Sequence, residues 1–346
     1  MTVDTSDTSS TCVSGGEQQL RHRQQQHSAS TSPPSIREEH HFEYGVEGES
    51  SPGHPCKPQS LAETIRCEVR ELKLIAHAHL PEWLKDNDYL HENHRPPIPC
   101  VVTCFKSVFS LHSETVNIWT HLIGSLIIVG ICFWWFLFRP SHAPYSWQKI
   151  LVFLAFFVSA VACMTFSWLY HTLYCHSVQM SRLFSKLDYS GISILILGSF
   201  VPWLYYGFYC HHTQMLFYIS TMILLSVGCI IVSLWDRFSS PIYRPLRTGT
   251  FIALGCSGVV PFLHSVVENG LEHTKFPYII TVALLYIAGA LIYACRVPER
   301  FVPGKLDIWG HSHQIFHVLV VVAAIVHYNG IITMADDRLE LGECQA

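Results

Sequence analysis

The sequence contains little charge for a protein of its length. Only 14% of its 346 residues are Asp, Glu, Lys or Arg, and its formal net charge is −4. Soluble domains carry about 25% charged residues, so an ordinary soluble globular protein is excluded. The small negative net charge also argues against a nucleic-acid partner, which would need a basic surface.

The sequence also lacks a CxxC cysteine pair and an apolar stretch near its start. Its 13 cysteines therefore show no paired metal or redox motif, and we interpret those within apolar runs as small packing residues. These include Cys132, Cys163, Cys229 and Cys256. The first 30 residues lack the apolar core of a signal peptide, so we expect the first hydrophobic helix to serve as the insertion signal.

Long apolar runs are abundant from about Val116 onward. A bilayer-crossing helix needs about 20 mostly apolar residues, and seven stretches satisfy this requirement. They are 116–138, 150–169, 188–209, 215–235, 248–267, 277–295 and 313–334. The sequence therefore predicts an all-α membrane protein, with a seven-transmembrane-helix bundle over residues 111–335 and a short extracellular tail at 336–346.

The region before the bundle divides into two parts. Residues 1–60 are rich in Ser, Thr, Gln, Gly, Pro and His, a composition that predicts a disordered cytoplasmic tail. Residues 61–110 are predicted to be a cytoplasmic juxtamembrane helical region, because Ile65 to Ala76 carries apolar residues at helical spacing. We expect this amphipathic helix to pack on the bundle or the membrane surface, and a cytoplasmic adaptor that binds it is left open.

The orientation of the bundle follows from Lys and Arg in the loops. The loops after spans 2, 4 and 6 contain eight such residues, whereas those after spans 1, 3 and 5 contain three. Because cytoplasmic loops carry the excess of positive charge, the sequence predicts a cytoplasmic N-terminus and an extracellular C-terminus. We expect a multi-pass protein of the plasma membrane.

Polar residues within these spans meet at one depth on the predicted cytoplasmic side. Span 2 ends there with Ser167 and His171, span 3 begins there with Asp188 in its first turn, and span 7 begins there with His313 and His317. With 22 histidines in the chain, about one HxxxH arises by chance, so that spacing alone is weak support for a site. A carboxylate in a membrane span is costly and is a functional hypothesis by default, so Asp188 strengthens the case for a bound cation.

Zinc fits these residue types better than other metals. Three neutral imidazoles with an open fourth position are typical of catalytic zinc, whereas Ca²⁺ and Mg²⁺ prefer more oxygen ligands. His171, His313 and His317 are the predicted metal ligands. Asp188 is a candidate metal ligand or general base, and Ser167 a candidate hydrogen-bond donor to the carboxylate, the water or a substrate. The structural alternatives are interfacial histidines that only reach water and a serine that bonds to its own helix.

Polar residues at the start of span 1 lie on the same side of the membrane. Glu114, Asn117 and His121 follow helical spacing there. We favour hydrogen bonding between helices for them and keep open a role in supporting the metal ligands.

At these residues the chain resembles the adiponectin receptors of the progestin and adipoQ receptor family, in the form of an invertebrate-type member. The resemblance covers about residues 79–335. Its most specific stretches include LPEWLKDNDYL (80–90), SWLYHTLYCHS (167–177), SRLFSKLDYSGI (181–192) and SHQIFHVLVV (312–321).

The resemblance implies both a site and a function. The family's Ser-xxx-His motif falls on Ser167 and His171, its Asp on Asp188, and its HxxxH motif on His313 and His317, so the resemblance implies a zinc ion held by the three histidines. Members are described as receptors for adiponectin-like hormones that promote fatty-acid oxidation and glucose uptake, and they are associated with cleavage of the ceramide amide.

Two functions remain as hypotheses. One is a zinc-dependent ceramidase within a receptor that regulates lipid and glucose metabolism. The other is a non-enzymatic hormone receptor whose zinc is structural. Small residues in spans 5 and 6, such as Gly255 and Gly289, permit the close helix contacts that a homo-oligomer would use.

Overall fold

The computed structural model describes residues 73–138, 146–235, 241–341 and 344. Within these residues seven spans have the length and apolar character to cross a membrane, which confirms the predicted helical membrane bundle. The predicted disordered tail at 1–60 and most of the predicted amphipathic helix lie outside the described residues.

The span numbers are kept below with the bounds that the structure gives. Spans 1 to 4 are Thr115–Phe138, Trp147–Leu173, Val178–Gly207 and His212–Leu234. Span 5 consists of two helices, Arg244–Cys256 and Val259–His273, and spans 6 and 7 are Phe276–Cys295 and Ser312–Leu341. We call the end at which spans 1, 3, 5 and 7 begin the inner end of the bundle, and the opposite end the outer end.

Span 3 begins ten residues earlier than the apolar pattern predicted. The Ser177 side chain accepts a hydrogen bond from the backbone N–H of Met180 and caps the helix, as N-cap serines do. The polar residues from 181 to 187 therefore continue the helix instead of forming a loop. Asp188 consequently lies about three turns inside the helix, and the prediction that it occupies the first turn is wrong.

Spans 2 and 3 approach each other closely. A Cβ built at Gly198 would lie 1.9 Å from the Ser159 hydroxyl and 2.6 Å from the Ala155 carbonyl oxygen. Only glycine fits at such a contact, which is how small residues let membrane helices pack. Aromatic side chains fill the neighbouring core, among them Trp135, Phe153, Phe156 and Tyr206.

The segment before the bundle crosses its inner end in a largely extended form. Residues 73–100 contain two single turns of 3-10 helix and one bridge between Ile75 and His94, and the juxtamembrane helix Val101–Ser107 follows. The predicted amphipathic helix is therefore wrong for residues 73–96, Ala76 included. Pro81 and the Pro96–Pro97 pair favour extended backbone in the residues before them, and buried Leu80, Leu84 and Leu90 anchor the segment.

Candidate metal centre

Three histidines from two spans meet at the inner end. His171 is in the last turn of span 2, and His313 and His317 are in the first two turns of span 7. One ring nitrogen from each lies within 4.8 Å of the other two. The spacing of four places His313 and His317 on one helix face, so a single ion can be reached by both of them and by His171.

Glu114 and Asn117, at the start of span 1, orient two of these imidazoles. Glu114 Oε2 lies 2.7 Å from His171 Nδ1 and accepts a hydrogen bond from it, and Asn117 Nδ2 donates to the same carboxylate oxygen at 2.7 Å. The backbone carbonyl of Asn117 accepts from His317 Nδ1 at 3.1 Å. Metal-binding histidines usually donate their second nitrogen to a carboxylate or a carbonyl in this way.

Glu114 is therefore a strongly held anion. Burial alone would raise its pKa, but the hydrogen bond and the electrostatic interaction with His171 hold the pKa of Glu114 well below its usual range. The sequence interpretation favoured hydrogen bonding between helices for Glu114 and Asn117. Both groups do bond across helices, and their partners are two of the three clustered histidines.

The Nε2 atom of His171 indicates whether the cluster suits a metal ion. With Nδ1 occupied by Glu114, the Nε2 atom is buried and has no hydrogen-bond partner among the described residues. A buried polar atom without a partner is destabilising, and a cation coordinated by the lone pair of Nε2 would relieve that penalty. The three nitrogen donors suit zinc, and the cluster therefore fits the group that the resemblance implies.

Asp188 and Ser167 lie beside this cluster. Both are buried, and the Ser167 hydroxyl is next to the Asp188 carboxylate without completing a well-formed hydrogen bond. Asp188 also interacts electrostatically with His171. Among the residues that the structure describes, the group able to hold a metal contains the three histidines and not Asp188.

The start of span 7 is fixed by a buried carboxylate that the sequence interpretation missed. Glu299 is fully buried, accepts from the backbone N–H of Ser312 at 2.7 Å and from Asn87 Nδ2 at 3.1 Å, and bonds the Ser312 hydroxyl. Glu299 thus caps the helix immediately before His313. The sequence contains no signal for this contact, because Asn87 and Glu299 are 212 residues apart.

A cleft between spans 1 and 7 leads from the membrane-facing surface towards the histidines. Its volume is about 390 Å³, and its walls are mostly apolar. Trp119 and Trp309 lie at its inner end, and Val318 and Val322 form part of its exposed rim. Thr120 lines the cleft, and its hydroxyl lies 3.3 Å from His317 Nδ1.

His121 packs directly on this cluster. Its ring stacks on His317 at 3.7 Å between centroids, with 6° between the planes. Neither of its ring nitrogens has a hydrogen-bond partner in the described part of the chain. His121 therefore supports the position of the His317 ring by contact.

Comparisons with known proteins agree with this architecture. The family described as "Haemolysin-III related" matches residues 109–328. The Adiponectin receptor protein of Drosophila melanogaster is 53% identical over 276 residues, which cover 79% of this chain and 62% of that protein. The Progestin and adipoQ receptor-like protein 1 of Caenorhabditis elegans is 50% identical over 271 residues, covering 77% of this chain and 62% of the relative.

A more distant relative is matched over more of its length. An ADIPOR-like receptor of Saccharomyces cerevisiae is 36% identical over 276 residues, with 78% of this chain and 87% of the relative covered. The chain spans about three fifths of the length of the two animal relatives.

Proposed function

Since this chain belongs to the Haemolysin-III-related family and is an adiponectin-receptor-like membrane protein, we propose that it is a plasma-membrane receptor with a zinc-dependent lipid amidase site. In this proposal His171, His313 and His317 hold the zinc ion. The substrate is ceramide or a related long-chain amide, which is cleaved to an amine and a fatty acid.

The observation that carries the proposal is the unpaired nitrogen of His171. It faces a cluster whose other two histidines are close enough to share one ion. The neighbouring Asp188 lies outside the ligand group. A carboxylate that is close to a metal without binding it keeps both of its oxygens available for proton transfer.

The residues around the cluster can perform the proton transfers of amide hydrolysis. Zinc at such a site supplies Lewis acidity, which polarises a carbonyl and lowers the pKa of water. Asp188 would accept a proton from the attacking water and deliver it to the leaving nitrogen. The Ser167 hydroxyl, beside that carboxylate, would orient it or donate to the substrate oxygen.

The cleft between spans 1 and 7 supports a lipid substrate. Its apolar walls suit an acyl chain, and its lining residue Thr120 contacts His317. From Trp119 to Ile127 the cleft follows eight residues of span 1, or about 12 Å of helix. A chain lying there would present its amide near the inner end, where the histidines are.

Two observations support the proposed orientation. The inner end, counting the loops and the first helical turns there, carries more Lys and Arg than the outer end. Cys210, after span 3, and Cys344, after span 7, form a disulfide at the outer end. Because disulfides persist in oxidising compartments, the pair favours an extracellular outer end and a cytoplasmic N-terminus.

The receptor part of the proposal is supported by the relatives' names. An adiponectin-like hormone or another extracellular ligand would bind at the outer end, and signalling would regulate fatty-acid oxidation and glucose homeostasis. A cytoplasmic adaptor would contact the N-terminal region. Open space around Gly255 would allow a second copy to pack there.

A receptor with structural zinc is the second candidate. The observation that favours it is that the cluster joins spans 2 and 7, while Glu114 and Asn117 connect both to span 1. A metal there would hold three helices together without any reaction.

Substitution of Asp188 by asparagine separates the two functions. The full chain is reconstituted in liposomes with ceramide, and fatty-acid release and zinc content are measured on the same preparation. We expect Asp188→Asn to keep its zinc and to lose hydrolysis by about 100-fold or more, the range of general-base catalysis. Exposed Asp336, at the outer end of span 7, provides the control variant Asp336→Asn.

The opposite results are equally informative. Hydrolysis at the wild-type rate with zinc bound would remove Asp188 from the mechanism. Absence of hydrolysis in the zinc-loaded wild-type protein would favour the structural role.

A further inference from the structure

Two cysteine thiols face each other beneath the inner end of the bundle. Cys104 lies in the juxtamembrane helix Val101–Ser107, and Cys175 lies in the turn that follows span 2. Their sulfur atoms are 3.9 Å apart, and both side chains are fully buried. The sequence offered no sign of this pair, because the two residues are 71 positions apart.

A buried cation lies beside these thiols. Arg95 is fully buried, and its guanidinium donates to the Ser107 hydroxyl at 2.8 Å, to the Thr172 carbonyl at 3.2 Å and to the His171 carbonyl. Within the described residues no carboxylate forms an ion pair with Arg95. Glu114 acts on this guanidinium electrostatically without forming an ion pair with it. Because a buried charge without a partner is strongly destabilising, an anion in direct contact would stabilise this region further.

Cys175 is the group best placed to supply that anion. Among the ionisable groups around Arg95, Cys175 contributes the largest stabilisation of the positive charge. The hydrogen bond from Cys104 is the main cause that lowers the pKa of Cys175 to about 7, burial opposes it, and the charge of Arg95 adds to it. The same contact raises the pKa of Cys104. One thiol is thus favoured as the thiolate and the other as the proton donor.

We propose that Cys104 and Cys175 are a peroxide-sensitive dithiol that closes to an internal disulfide. The Cys175 thiolate attacks one oxygen of hydrogen peroxide, the O–O bond breaks, and hydroxide leaves, so that Cys175 becomes a sulfenic acid. The Cys104 sulfur then attacks the sulfenic sulfur and displaces its oxygen as water. Overall, two thiols lose two electrons and two protons, and peroxide is reduced to two waters.

Burial determines which oxidants can react. Both sulfurs are inaccessible in the folded chain, which excludes bulky reagents such as disulfides of peptide size. Hydrogen peroxide is neutral and close to water in size, so it needs only a small local opening. The product would join the juxtamembrane helix covalently to the end of span 2, four residues after His171.

The test maps the oxidation state of each cysteine in the full chain. The purified protein in liposomes is treated with hydrogen peroxide, remaining thiols are blocked with N-ethylmaleimide, and peptides are analysed by mass spectrometry without reduction. We expect a linked Cys104–Cys175 peptide that increases with peroxide and disappears with dithiothreitol. In Cys104→Ser, dimedone should instead trap a sulfenic acid at Cys175.

Two other cysteines serve as internal controls. Cys100 immediately precedes the same helix, four residues before Cys104, and is more exposed, whereas Cys163 is buried within span 2. At peroxide concentrations that oxidise Cys104 and Cys175 to the disulfide, neither control cysteine should appear in a disulfide-linked peptide, and Cys100 should still be labelled by maleimide. Cys104 and Cys175 that stay reduced while Cys100 is oxidised would overturn the proposal. The proposal would also be overturned if, after peroxide treatment of the wild-type protein, Cys175 carried no dimedone adduct and formed no disulfide. Zinc is not involved in this readout, so the result is independent of the metal site.

Discussion

Glu114 can be changed without touching any of the three clustered histidines. Its carboxylate is 2.7 Å from His171 Nδ1, and the two side chains are 17% and 4% exposed. Replacing a group that orients a metal-binding histidine typically weakens metal affinity 10–100-fold. This hydrogen bond is short, buried and made by a charged acceptor, which places it among the stronger ones.

We therefore expect a graded loss of zinc affinity. Glu114→Ala removes the acceptor and also releases Asn117, whose carbonyl bonds His317, so the loss should approach 100-fold, or ~2.7 kcal/mol. Glu114→Gln keeps an acceptor oxygen of similar reach without the charge, and the loss should be about tenfold, or ~1.4 kcal/mol.

The assay is competition for zinc between the purified full chain and a chromophoric chelator. Glu268→Gln is the matched control, because Glu268 also contacts two histidines, at 3.3 and 3.4 Å, but lies at the outer end. Its zinc affinity should equal that of the wild type. If Glu114→Ala binds zinc within twofold of the wild type, the carboxylate does not support the metal site and the reasoning fails.

Three further predictions concern packing, substrate entry and the outer end. Gly198→Ala should destabilise the bundle by about 1–3 kcal/mol through overpacking against span 2, whereas Gly130→Ala, where a Cβ meets open space, should leave the melting temperature unchanged. Val322→Trp should obstruct the cleft and raise the KM for a long-chain ceramide while the zinc content stays unchanged. The control Leu126→Trp changes a residue exposed on span 1 outside the cleft lining, so its KM should equal that of the wild type. Cys210→Ser should make Cys344 react with a membrane-impermeant maleimide on intact cells, while the wild type should react only after reduction; labelling only after permeabilisation would contradict the proposed orientation.

Hydrophobic length predicted the bundle well because a membrane span must satisfy its own backbone hydrogen bonds and be apolar. The same pattern failed at span ends, where polar residues continue a helix beyond the apolar core. Span 3 is the clearest case, because the Ser177 cap starts the helix before any apolar run. The extended segment at 73–96 was also missed, since its anchoring contacts are made with distant parts of the chain, as in the bond from Asn87 to Glu299.

The site was predictable to the extent that its residues lie on helices of known direction. Spacing and topology brought His171, His313 and His317 to one end without any structural information. Helical spacing placed Glu114 on the same side of the membrane and left its support of the metal ligands as an alternative. Its pairing with His171 in particular could not be predicted, because the separation of 57 residues carries no pattern. The contact between the Cys104 and Cys175 thiols could not be predicted for the same reason. These residues meet only because the juxtamembrane helix packs against the end of span 2.

In the proposed site, His313 and His317 of span 7 and His171 of span 2 hold one zinc ion. We would measure the zinc content of the purified full chain and compare the wild type with a His313→Ala/His317→Ala double variant. We expect about one zinc per wild-type chain and almost none in the variant, because a single remaining imidazole cannot retain the ion. Equal zinc in the two proteins, or a wild type that carries no zinc after purification without chelators, would show that these histidines do not form a zinc site.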